Sequence, residues 1–357
     1  MISNDSDLSE LIDRLRPLSQ IAIDTEADSL HSYFEKLCLI QISTETEDIL
    51  VDPLAGIELR PLYDVLADKR LILHGADYDL RLFNRLGHFP ATDIFDTMIA
   101  ARLCGYQELG LAALVARHFE VTLSKASQKA NWGMRPLPQQ MLDYAICDTK
   151  YLLPLAAILE AELRRLDRWE WFLESRDRLV TSAREPRKRD ESQAWRISGS
   201  AALAPREQSI LRVLWQWRDG EARAWDRPAF HVMGNADLIW LSREAVTGTA
   251  QAPQRMSGRR RKSFDVVMAL ALEVPENEWP VTVKTPRRRA TKEQTLRFDD
   301  LKKVRDEAAK TLELDPSILA PRSALEAVSL DPDSLSLMRW QRTLLGLEPV
   351  SSDGNPD

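Results

Sequence analysis

Two carboxylates stand two residues apart at the end of an apolar run, Ile21-Ala22-Ile23-Asp24-Thr25-Glu26. In a β-strand, residues i and i+2 project from one face, so Asp24 and Glu26 are expected side by side. Acids held together repel unless a cation neutralises them, and oxygen donors suit Mg²⁺ or Mn²⁺. A third acid lies in His74-Gly75-Ala76-Asp77-Tyr78-Asp79-Leu80, where a strand ends, a glycine permits a tight turn and a helix begins. Asp79 is the favoured ligand there; Asp77 is the rival, read instead as a helix N-cap. A fourth lies in Asp143-Tyr144-Ala145-Ile146-Cys147-Asp148. Tyr144 and Asp148 are i and i+4 and share a helix face, and a phenol beside a metal-bound carboxylate can orient an attacking water. Two metals about 4 Å apart activate such a water and stabilise a leaving oxygen. Alone, each piece reads as surface charge or a helix cap; their ordered combination points to metal-dependent cleavage of nucleic acid.

The elements that must carry these residues alternate. Met1 to Arg16 reads as a helix, with Leu8, Leu11, Ile12 and Leu15 at helical spacing. Strands are expected at Gln20–Asp24, Leu37–Ser43, Ile49–Asp52, Arg70–His74 and Asp93–Asp96, and helices at Leu59–Ala67 and from Asp77 to Arg85. Thr97 to Arg168 reads as mainly helical. The alternation predicts an α/β domain with a mixed central sheet over residues 1–175. A polar, basic linker is expected over 176–202 and a small all-α domain over 203–280. A basic linker at 281–296 and a second small all-α domain at 297–350 follow, with Ser351–Asp357 expected to be disordered.

The chain has 357 residues and a formal net charge of −7. Residues 1–170 carry a balance of −10 and the remainder +3. Basic clusters at Arg184–Arg189, Arg255–Lys262 and Lys284–Lys292 read equally well as phosphate contacts or as solvated linkers. Cys38, Cys104 and Cys147 form no CxxC pair, which suggests a reduced, cytoplasmic setting. Met1–Arg16 lacks a basic-then-apolar signal. The longest apolar run, Tyr151–Leu159, is too short to span a bilayer, so no membrane association is expected.

In its first motif (Asp24, Glu26), second (Asp79) and third (Tyr144, Asp148), the chain resembles the DEDD 3′–5′ exonuclease superfamily in its tyrosine branch, and most closely ribonuclease D. Trp132-Gly133-Met134-Arg135-Pro136-Leu137 is similar to the W-x-x-R-P-L of that family. The histidine branch carries His where this chain has Asp143. Residues 203–280 are similar to an HRDC domain through Trp217-Arg218, Ala222, Trp225-Asp226, Pro228 and Phe230, and 297–347 to a more divergent HRDC-like repeat. The resemblance implies an RNase H-like fold and hydrolysis releasing nucleoside 5′-monophosphates from a 3′ end. It implies two divalent metal ions, Mg²⁺ or Mn²⁺. Asp24, Glu26 and Asp148 would hold the first, Asp24 would bridge to the second with Asp79 in support, and Tyr144 would position the water.

Substrate contacts are expected from a wider set. Phe34 and Leu37 follow the first motif and suit base stacking, with core packing the equal alternative. His74 borders the second motif, with neutral packing favoured. Lys129, Trp132 and Arg135 suit the phosphate backbone, Trp132 more often as a packing residue. Of the pair on the second domain's first helix, Trp217 is expected in the core and Trp215 partly exposed. The expected activity is exoribonucleolytic, on single-stranded 3′ extensions such as those of tRNA precursors. DNA exonuclease and silent binding protein are the rivals. Deletion after about residue 200 is expected to separate RNA binding from turnover.

Overall fold

Asn4 sets the start of the first helix: its side chain accepts from the Asp7 amide, and α1 runs Asp5–Leu15 rather than from Met1. The residues before it pair instead. Ile2 donates to Leu50 O and accepts from the Asp52 amide, a one-residue bridge at the sheet edge. The computed structural model describes residues 1–124, 126–185, 190–253, 256–281 and 290–348. Parts of the basic clusters (186–189, 255 and 284–289) and the tail from 349 lie outside the described residues.

The chain forms two compact units, the first comprising Met1–Glu26, Leu37–Glu185 and Arg288–Asp357, the second Ala27–Lys36 and Pro186–Arg287. In the first, β1 (Gln20–Ala27), β2 (Leu37–Ser43), β3 (Asp48–Val51), β4 (Arg70–Leu73) and β5 (Ile94–Asp96) form a five-stranded sheet in the order β3-β2-β1-β4-β5. β1 runs parallel to β4 in the register Ile21↔Leu71, and β4 parallel to β5, while β2 and β3 are antiparallel. The sheet is therefore mixed. Parallel neighbours need a crossover, and α3 (Asp77–Leu86) supplies it between β4 and β5. α2 (Arg60–Ala67) precedes β4, and after β5 the chain turns helical: α4 (Thr97–Cys104), α5 (Leu111–Phe119), α6 (Gln139–Lys150), α7 (Leu152–Arg165) and α8 (Trp169–Arg184). Residues 120–138 break this run, closed by prolines at 136 and 138 that supply no amide donor. All seven side chains of β2 are buried, as a central strand requires. α6 packs on β2 and β3 through Leu39, Leu50, Met141 and Ala145, and α7 and α8 pack on β4 and β5.

The second unit is built on α9 (Pro205–Trp225), against which α10 (Ala229–Val232), α11 (Asn235–Thr247) and α12 (Gly258–Glu273) pack. Its core holds Leu211, Leu214, Trp217, Leu238, Leu241 and Phe264. Trp217 is 9% exposed and Trp215 partly buried. Trp195, within the polar run 176–202, is 3% exposed and belongs to this core.

The last helices, α13 (Lys292–Leu312), α14 (Pro316–Leu319), α15 (Arg322–Leu330) and α16 (Arg339–Leu344), belong to the first unit. Trp340 stacks on Trp171 of α8, centroids 4.7 Å apart and planes at 11°. It shares a core with Ala22, Ile72 and Phe95. Glu174 accepts from the amides of Arg339 and Trp340, capping α16, and Arg168 donates to Leu103 O and Leu312 O. A cut after residue 200 would thus remove part of the core that carries β1 and β4, so that deletion does not separate binding from turnover cleanly. Among the described residues, no helix is long and apolar enough to cross a membrane.

Candidate active site

β1 and β4 are parallel neighbours, so both present their carboxyl ends at one edge of the sheet, where open α/β sheets hold their ligands. Asp24 and Glu26 lie at that end of β1, half-buried on one face, while the intervening Thr25 is 6% exposed. Beyond β4 the chain turns at Gly75, whose φ of +76° places it in the left-handed region. Asp96, at the end of β5, fixes this turn. Its carboxylate accepts from the Gly75 and Ala76 amides at 2.9 Å each, and from the Met98 amide at 2.8 Å as the N-cap of α4. α3 then starts at once and brings Asp79 inward, 4% exposed. Thr25 Oγ1 donates to Asp79 Oδ1 at 2.5 Å, joining the second motif to the first. Tyr144 and Asp148 share a face of α6, and the Tyr144 phenol is hydrogen-bonded to the Asp148 carboxylate.

The electrostatics bind these residues into one site. The charged groups acting on Asp24 are Asp79, Asp148 and Glu26; with burial as the larger cause, they hold its carboxyl well above the usual range. Burial, then Asp148 and Asp79, raises Glu26 to about 9. Asp79 is raised to about 7, chiefly by burial, against the opposing hydrogen bond from Thr25. Burial also raises Asp148 to about 7, the Tyr144 bond opposing it, and burial followed by the Asp148 charge pushes the Tyr144 phenol up. Such an array lacks only positive charge. Four carboxylates without histidine or cysteine are the donor set of a hard divalent cation, and a cation would reverse each of these shifts. Among the described residues no three His, Cys, Asp or Glu side chains already close into a metal-holding group. The fit therefore rests on donor type and charge.

The other expected residues divide. Asp77 is the first residue of α3, not its cap: the N-cap is Ala76, without a side-chain bond, and Asp77 accepts from Arg81 Nε at 3.0 Å. His74 Nδ1 lies 2.9 Å from Thr97 Oγ1. That hydroxyl donates to Leu73 O, so His74 carries its proton on Nδ1. Its Nε2 is buried, and burial lowers the pKa of the ring against the opposing Asp96 charge and a hydrogen bond to the Leu109 backbone. Leu37 is 3% exposed and Trp132 1%, the latter packed at 6.1 Å on Tyr144. Trp132 thus braces the phenol from within the core. Arg135 directs its guanidinium to Asp52, Cys38 O, Trp132 O and Met134 O, all at 2.6–2.8 Å. Its donors are committed to the protein, which leaves no fork for a phosphate. Lys129 is exposed. Phe34 is exposed and belongs to the second unit. Sequence reasoning missed Thr25 and Asp96. Thr25 sits between two conspicuous acids at the opposite parity, and Asp96 reads as an ordinary strand end.

Residues 1–164 match the 3′–5′ exonuclease family. Ribonuclease D of Pseudomonas paraeruginosa is 28% identical over 364 residues, covering 97% of this chain and 95% of the relative. That of Zymomonas mobilis is 35% identical, covering 68% of this chain and 63% of the relative. The crystal structure of Escherichia coli RNase D, an exoribonuclease involved in structured RNA processing, superposes with a TM-score of 0.69. It is 25% identical and covers 99% of this chain and 92% of that one. With the motifs in order and the same mixed sheet, the chain belongs to the ribonuclease D family of 3′–5′ exoribonucleases.

Proposed function

We propose that this protein removes nucleotides one at a time from single-stranded 3′ extensions of structured RNA, tRNA precursors among them, releasing nucleoside 5′-monophosphates. The observation that carries the reading is the mutual charge of Asp24, Glu26, Asp79 and Asp148, with Tyr144 bonded to the last of them. In this reading Asp24, Glu26, Asp79 and Asp148 would hold the divalent ions, Asp24, Glu26 and Asp148 one of them and Asp24 with Asp79 a second. Bound there, the ions would neutralise the carboxylates and lower the pKa of a coordinated water. Tyr144, its phenol kept protonated by burial and neighbouring carboxylates, would orient an attacking water by its hydroxyl, and Trp132 behind it limits the ring's freedom. Thr25 fixes the Asp79 carboxylate, and Asp96 fixes the turn from which Asp79 projects. Phe34 offers a stacking surface for the terminal base. Leu37, His74, Trp132 and Arg135 act by supporting this frame, and Lys129 is left as a phosphate contact.

The test uses 5′-labelled single-stranded RNA and matched DNA with Mg²⁺ or Mn²⁺, comparing wild type with Asp24→Asn. The expected result is a ladder shortening from the 3′ end of RNA, abolished by the substitution and by chelator. A ladder on DNA alone would overturn the substrate, and binding without a ladder on either would overturn the enzyme.

A further inference from the structure

α12 (Gly258–Glu273) turns one face to its own unit. Phe264, Met268 and Ala271 are buried in the core around α9, with Phe264 edge-on to Trp217 at 5.4 Å. Two of the four basic residues at its start serve the same unit. Arg260 pairs with Glu221 at 3.3 Å and lies over the Trp225 ring at 4.6 Å, and Arg261 donates to Pro253 O at 3.2 Å. The helix period thus splits the basic cluster, and Arg259 and Lys262 are left on the outer face, both exposed.

That outer face has a pattern of its own. Arg259, Lys262, Val266, Ala269 and Glu273 recur at alternating steps of three and four, the spacing of a coiled-coil seam. All five are exposed. Val266, and Leu270 beside the seam, keep 61% and 56% of their surface open. Among the described residues, the side chains of Arg259, Lys262, Glu273 and Glu276 have no hydrogen-bond or ion-pair partner.

The seam is basic at its start, apolar in the middle and acidic at its end, where the short turn Glu276–Glu278 follows Glu273. A surface in this order is complementary to itself when reversed. Laid antiparallel on a second copy, Val266 faces Ala269, Lys262 faces Glu273 and Arg259 faces Glu276. A two-fold axis repeats each contact. Laid parallel, every charge would meet its own kind. Ala269 is small enough for the two helices to approach to about 8 Å.

We propose that the outer face of α12 is a self-association surface, taking the same face of a second copy in antiparallel, two-fold contact. The 16 residues of α12 span only about 24 Å, so the contact is small and the dimer belongs with weak, transient interfaces. No residue of the acidic site takes part, and the proposal does not rest on the exonuclease reading.

The experiment is sedimentation equilibrium of the full chain from roughly 10 to 500 µM, the range in which a weak interface populates both states. The variants are Lys262→Glu, Glu273→Lys, the Lys262→Glu/Glu273→Lys double variant and Val266→Arg/Leu270→Arg. The wild-type mass should rise with concentration from 40.7 kDa toward twice that value. Each single charge reversal puts like charges into two symmetry-related contacts and should weaken association on the order of tenfold. The double reversal restores both pairs and should return to within about threefold of wild type. Val266→Arg/Leu270→Arg should stay monomeric. Every substituted position is exposed, so circular dichroism should remain that of the wild type. A wild type that is monomeric throughout would overturn the proposal, as would a dimer that survives Val266→Arg/Leu270→Arg. A double reversal no better than the singles would overturn the antiparallel seam. Lys262→Glu lowering RNA affinity in a chain that never dimerises would overturn it as well, and would assign Arg259 and Lys262 to phosphate.

Discussion

Thr25 donates its hydroxyl to Asp79 at 2.5 Å across 54 positions of sequence, so the residue between the two acids of the first motif is the one that holds the second. The bond lowers the Asp79 carboxyl against the larger effect of burial. Thr25→Val keeps the shape and removes the donor. It is expected to raise the Asp79 pKa further, to weaken metal binding and to cut kcat on the order of tenfold, consistent with a lost charge-assisted bond of about 1.5–3 kcal/mol. Thr25→Ser should restore most of it. Metal titration at fixed pH checks the binding half, and a steady-state assay the other.

The raised carboxyls predict how stability varies with pH. In the unfolded chain these acids titrate near 4, whereas in the folded, metal-free protein Asp79 and Asp148 titrate near 7 and Glu26 near 9. Between those limits the folded state holds more protons than the unfolded, so stability falls as pH rises, from full below about 4 to lost above about 9. Melting in EDTA should show that decline, and saturating Mn²⁺ should flatten it. A metal-free melting temperature that rises across the same window would contradict the charge balance described here.

Removing one acid should separate stability from activity. Asp148→Asn takes a charge out of the repelling set. It is expected to stabilise the metal-free protein at pH 8 by about 1–3 kcal/mol, since each unit of pKa shift corresponds to about 1.4 kcal/mol. The same substitution should abolish hydrolysis. Denaturant unfolding with and without metal checks both signs: the variant gains in EDTA and loses the metal-dependent increment.

Arg135 and Trp340 test the frame. Arg135→Ala leaves buried Asp52 and the Cys38 and Trp132 carbonyls without their donor, with an expected loss of about 3–5 kcal/mol; the KM for RNA of the surviving folded fraction should not change. Trp340→Ala removes the ring stacked on Trp171, with an expected cost of about 3–5 kcal/mol. In a thermal melt followed by activity, activity and the first unit's structure should be lost together.

What the sequence made legible follows from where the physics is local. The Asp24–Glu26 spacing and the i, i+4 pair Tyr144–Asp148 are readable because strand and helix periods alone decide which way a side chain points. Asp79 was readable from the glycine before it. Thr25 and Asp96 were not, because each holds the second motif through a partner 20 or more positions away, and no local period marks it. Arg135 was misjudged for a related reason: a lone arginine in a polar run looks like a phosphate contact until its distant partner Asp52 is known. Trp195 was hidden by the charged residues around it, and Ile2 by the helix signal that follows.

Trp340 completes a core that also contains Ala22, Ile72 and Phe95, between 245 and 318 positions earlier in the chain. At roughly 5–20 residues per second of synthesis, the sheet edge bearing the acids waits about 15–60 seconds for its last aromatic wall, while the whole helical unit is made in between. During that interval the nascent chain holds its hydrolytic groups on an unfinished support. Competence thus waits on a segment made long after the acids themselves.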